Sequence, residues 1–174
     1  MANTYTLIEG KTLTTTAASV IFTSIPQTYT DLLIKFSARS TSTAGVDIYA
    51  NLRVQFNSDT GNNYNGILLF ANLGSPGSGS YTSLSGNAFS YANGNVTTAS
   101  TFSNMEIYIP NYTGSNKKTS SVDGVVENNA SNGFVEMAAE IWTGTSAITT
   151  IDLVSIYGSH TADSTFYLYG IKNS

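Results

Sequence analysis

Residues Ile148–Ile171 read ITTIDLVSIYGSHTADSTFYLYGI, and this stretch decides the fold class. Two apolar-rich runs, Thr149–Tyr157 and Thr165–Ile171, flank a turn-forming cluster at Gly158–Ser164. In the first run Ile151, Leu153 and Tyr157 fall on one side, with Thr150 and Asp152 on the other. In the second, Phe166 and Leu168 alternate with Tyr167 and Tyr169. A period of two places successive side chains on opposite faces of a strand. The stretch therefore predicts a closing antiparallel pair whose last strand is apolar enough to lie inside a sheet.

The same period recurs upstream. Within Thr30–Arg39, Leu32, Ile34, Phe36 and Ala38 alternate with Leu33, Lys35, Ser37 and Arg39. Within Ile48–Asn57, Ile48, Ala50, Leu52, Val54 and Phe56 alternate with polar residues and Tyr49. Phe102–Pro110 points Met105, Ile107 and Ile109 inward and Glu106 and Tyr108 outward. Lys117–Glu127 is a further strand, and Tyr5–Glu9 and Ser19–Ile25 are short ones, stopped by Gly10 and Pro26. Phe134–Thr143 contains good helix formers, but its ten residues alternate between Gly133 and Gly144, which favours a strand. Ile67–Phe70 is a brief apolar run, GSPGSG at Gly74–Gly79 reads as a flexible loop, and Ser80–Thr101 as long loops or weak strands. The expectation is a single all-β domain over residues 1–174, an antiparallel, jelly-roll-like β-sandwich of about eight to ten strands.

Composition agrees and narrows the function classes. Apolar residues make up 41% of 174, and charged residues only 10% against a globular norm of about 25%. Seven Lys and Arg at a net charge of −4 supply no basic patch, which argues against nucleic-acid binding. The absence of cysteine removes disulfides, thiolate catalysis and Cys-ligated zinc. No apolar run approaches the ~18 residues of a membrane-spanning helix, and MANTYTLIEGKTL carries no signal-peptide pattern. The Asn-x-Ser/Thr triplets at Asn95, Asn111 and Asn129 read as chance in a chain rich in Asn and Thr.

Candidate sites reduce to a few. His160, the one histidine, reads as a solvated loop residue, with no GxSxG elbow to present a serine to it. Glu136 and Glu140 share a strand face but lie roughly 13 Å apart along the backbone, wide for glycoside hydrolysis, and read as a solvent-facing or interface row. Asn57–Asn63 (NSDTGNN) resembles a calcium loop only faintly, having one carboxylate and no terminal Glu, and reads as a turn. No enzyme, cofactor or metal site is expected. Tyr49, Tyr64, Tyr81, Tyr91, Tyr108 and Tyr112 read as exposed tyrosines able to form an interface or a glycan-stacking platform.

Three motifs carry a resemblance. Pro26–Ile34 (PQTYTDLLI), Phe56–Tyr64 (FNSDTGNNY) and Ser164–Ile171 (STFYLYGI) resemble small β-sandwich virion proteins of tailed bacteriophages. The resemblance implies a structural role in the virion, assembled in the host cytoplasm. It implies either a capsid decoration (cement) protein, a homotrimer bound to the major capsid protein, or a tail-fibre or receptor-binding module that holds carbohydrate. Strands expected from about Tyr5 to Ile171, with no shaft between them, favour the decoration role. Multivalent display on a shell makes modest individual affinities sufficient.

Overall fold

A computed structural model describes residues 4–43, 49–72, 74–88, 90–127 and 133–172. These form β1 (Tyr5–Thr12), β2 (Ser19–Phe22), β3 (Asp31–Ser37), β4 (Tyr49–Phe56), β5 (Tyr64–Asn72) and β6 (Ser75–Leu84). The chain continues through β7 (Tyr91–Asn93), β8 (Asn104–Ile109), β9 (Lys118–Glu127), β10 (Gly133–Trp142), β11 (Ile151–Ser155) and β12 (Thr165–Ile171). They build a large sheet, β1-β12-β3-β8-β9-β10-β5-β6, and a small one, β2-β11-β4-β7. Neighbouring strands pair antiparallel throughout, so the all-β sandwich read from the alternation is the observed fold.

The C-terminal stretch is organised differently from the expected pair. β12 inserts between β1 and β3, and β11 inserts between β2 and β4, so the two strands belong to different sheets. This wrapping of late strands between early ones gives the sandwich its jelly-roll-like character. Ile151 and Leu153 bury against the core from one layer, Phe166 and Leu168 from the other. Paired directly, they would leave each other's apolar faces without a second layer. Tyr157 lies beyond the end of β11 and is exposed, not aligned with Ile151 and Leu153.

The core is continuous between the layers. Leu32, Ile34 and Phe36 of β3, Met105, Ile107 and Ile109 of β8, and Leu52, Val54 and Phe56 of β4 are buried as their alternation predicts. Phe36 stacks on Phe166 with ring centroids 5.7 Å apart. Ile48 and the side chains of Tyr49 and Ala50 lie outside the described residues.

Twelve strands among the described residues exceed the eight to ten expected, because the Gly/Ser region is not a loop. β6 pairs with β5 along nearly its whole length. Gly77 answers a bulky partner, since a Cβ there would stand 2.4 Å from the Phe70 ring, and on β5 a Cβ on Gly66 would stand 2.7 Å from the Tyr81 ring of β6. Each aromatic lies over the backbone opposite it, a packing that a side chain would block. β1 likewise runs through Gly10 instead of stopping there, with a register shift between Leu7 and Glu9.

Candidate functional site: the outer face of the large sheet

β10 sets the chemistry of both faces. Phe134, Glu136, Ala138, Glu140 and Trp142 point into the sandwich, while Val135, Met137 and Ala139 are exposed. This reverses the expectation that the two glutamates face solvent. Phe134 stacks on Phe70 at 5.4 Å and takes Tyr91 edge-on at 5.2 Å. Trp142 stacks on Tyr64 at 6.3 Å and meets Phe56 edge-on at 5.8 Å. Each such aromatic buries about 150–250 Å². A one-residue slip would put both in water, so the strand keeps the aromatics inside and the glutamates follow by the period of two.

The buried Glu136 carboxyl group is accommodated as a neutral acid. Neither oxygen of Glu136 has a hydrogen-bond partner among the described residues. Burial, and then the nearby charges of Glu140 and Asp123, push its pKa up to about 9. Protonation avoids an uncompensated charge in the core. Glu140 accepts a hydrogen bond at its Oε1 from the Tyr81 hydroxyl, at 2.7 Å. With their carboxyl groups sealed between the sheets, these residues do not present a hydrolytic pair to a substrate.

His160 is also internal, not a solvated loop residue. It lies in the crossover from β11 to β12, fully buried, and is bridged to Ala17 and Ser40. Its Nε2–H donates to the Leu153 carbonyl (3.1 Å), and its ring stands edge-on to Phe166 at 5.1 Å. Burial lowers its pKa. The crossover is exposed at Tyr157, Gly158 and Asp163 but turns His160 inward.

The loop at Asn57–Asn63 is closed from within. Asp59 accepts hydrogen bonds from Gly61 N (2.8 Å), Asn63 Nδ2 (2.9 Å) and Trp142 Nε1 (2.7 Å). Its carboxylate fastens the turn to β10. Of the three Asn-x-Ser/Thr triplets, Asn129 lies outside the described residues.

The six tyrosines do not make one platform. Tyr64, Tyr91 and Tyr112 are core residues, contrary to their expected exposure. The Tyr64 hydroxyl accepts from Phe56 N and donates to Asp59 O, and the Tyr112 hydroxyl donates to Pro26 O. Tyr91 packs against Phe134. A tyrosine whose tip is satisfied inside the fold buries its ring without loss, which alternation alone does not reveal. Tyr81 is half-buried between Glu140 and the backbone of Ala88. Among the described side chains of the six, Tyr108 lines the outer trough, and its hydroxyl donates to Asp31 Oδ2 (2.8 Å). Burial and this bond raise its pKa to about 12.

What the outer face does present is aliphatic. Ile67 (64% exposed) and Leu69 (66%) of β5 stand beside Met137 (62%) of β10, with Val125 and Val135 adjoining. Together these five expose roughly 500 Å², at the upper end of the largest patch on an ordinary monomer. The sheet is hollowed here into a trough of about 750 Å³ crossing β6, β5, β10, β9 and β8. Two side-chain rows border it. One runs Ser78, Leu69, Met137, Asp123, Glu106, and the other Ser80, Ile67, Ala139, Ser121, Tyr108. The far end is acidic: Glu106 and Asp123 sit directly opposite each other on β8 and β9. Lys35 pairs with Glu106 at 2.7 Å, whereas among the described residues no basic side chain pairs with Asp123.

No protein-family model matches the chain, and no curated protein matches it in sequence. Among solved structures it is similar to the carbohydrate recognition domain of Emp47p, at 10% sequence identity, over 98% of this chain and 90% of that one, with a TM-score of 0.32.

Proposed function

We propose that this chain is a structural virion protein of a tailed phage, a decoration protein that docks on the major capsid protein at the outer face of the head shell and strengthens it. The observation that carries this reading is the exposed aliphatic face over β9, β10 and β5. A hydrogen-bonded sheet that turns Ile67, Leu69, Val125, Val135 and Met137 to water is built to have them covered. The low charge of the chain suits contacts repeated many times on a shell, where modest single affinities sum. The sequence resemblance supplies the virion context and the expectation of a trimer.

A glycan module fits this face less well. Sugar binding uses exposed aromatic rings with polar groups beside them, whereas the trough's serines and acids flank aliphatic side chains and one tyrosine whose hydroxyl is engaged with Asp31. The test is direct. Purified protein added to shells that lack it should bind to saturation and raise the temperature at which the shells rupture. Binding to host cells or polysaccharide in place of shells would overturn the reading.

A further inference from the structure

We infer that the outer trough is a docking groove for an extended segment of the partner protein, aliphatic where it crosses β5 and β10 and carrying a lysine or arginine where it crosses β9 and β8. The inference deepens the proposed function and rests on it for the identity of the partner, but its chemistry comes from the trough alone.

Shape comes first. The trough spans five strands, so at ~4.8 Å per strand it is roughly 19 Å long. Its bordering rows are two residues apart along each strand, about 7 Å. A helix, 10–12 Å across with its side chains, is too wide for that channel. An extended segment of about six residues, at ~3.3 Å each, matches its length. A second copy of this chain is a poor occupant, because two hollows set face to face would enclose a void instead of filling it.

Charge gives the segment a direction. Like charges directly opposite on neighbouring strands are destabilising, yet Glu106 and Asp123 are so placed, and among the described residues the one cation paired with either is Lys35, on Glu106. A cation arriving from outside beside Asp123 would relieve that opposition. On β5 and β10, Ile67, Leu69 and Met137 offer aliphatic contact, with Ser78 and Ser80 of β6 beyond them. The occupant therefore reads as aliphatic at one end and basic at the other.

A random eight-residue peptide library selected against the wild-type protein, and counter-selected against the Leu69→Glu/Met137→Glu double variant, tests this without shells. Both residues are exposed, and an unchanged melting transition would show that the variant folds. The expected winners carry aliphatic residues at one end and Lys or Arg at the other. For such a peptide Asp123→Asn should weaken binding about tenfold and flatten its dependence on salt. Loss of wild-type oligomers in the Met137→Glu variant would overturn the inference, since the trough would then be a contact between copies. Winners without a basic residue, or an enrichment that the double variant shares, would also overturn it. If basic-aliphatic peptides win but the protein ignores bare shells, the groove stands and the decoration reading falls.

Discussion

Replacing Glu136 with glutamine should remove a pH dependence that the wild-type fold carries. The carboxyl group is 1% exposed, has no hydrogen-bond partner among the described residues, and titrates near 9 when folded against 4.5 as its ordinary value. A raised folded pKa means that the folded state holds a proton which the unfolded chain has already released. Stability is thus fully present below about pH 4.5 and declines as pH rises toward 9. The slope for one proton is about 1.4 kcal/mol per pH unit, so between pH 7 and 8.5 wild type should lose about 2 kcal/mol. Urea unfolding followed by fluorescence of Trp142, the one tryptophan and itself buried, reads this out at each pH. Glu136→Gln should show little change across the same window. A wild-type stability that is flat from pH 7 to 8.5, or an equal decline in the variant, would mean that Glu136 is not held protonated in the fold.

Other consequences follow from the same interior. His160 has the opposite sign: its lowered pKa means stability is lost as pH falls below about 6.5, where the unfolded chain takes up a proton that the folded one refuses. In the Glu136→Gln background urea midpoints should drop from pH 6.5 to 5, and a rise would contradict the buried, neutral imidazole. Tyr81→Phe removes the donor to Glu140 and the acceptor for Ala88 N, and should cost about 1–3 kcal/mol in the same unfolding assay. Truncation after Gly158 deletes β12 from between β1 and β3, with Phe166 and Leu168. Calorimetry should then show no cooperative transition, and a soluble truncate that melts sharply would contradict the topology.

Strand periodicity made most of the sandwich legible, because β3, β4 and β8 each have one plainly apolar face. It failed where both faces carry apolar residues. In β10 the set Val135, Met137, Ala139, Ile141 looks more apolar than Phe134, Glu136, Ala138, Glu140, Trp142, yet two aromatics decide the orientation and take two acids inside. The candidate face was hidden by the same inversion: residues expected in the core line it. β6 was hidden for another reason. Its glycines signal a loop when read locally, and the need for Gly77 appears only beside Phe70 on the strand opposite. Tyrosine burial depended on partners far along the chain, such as Pro26 for Tyr112, which no local pattern encodes.

On the proposed function, the Met137 face is the one that lies against the shell. A photo-reactive residue placed at position 137, on protein bound to shells that lack it, measures this most directly. A cross-link to the major capsid protein at high yield is expected, and none from the same label at the exposed Tyr157 on the β11–β12 crossover. Bound protein that cross-links from Tyr157 but not from Met137, or from Met137 only to another copy of itself, would contradict that placement.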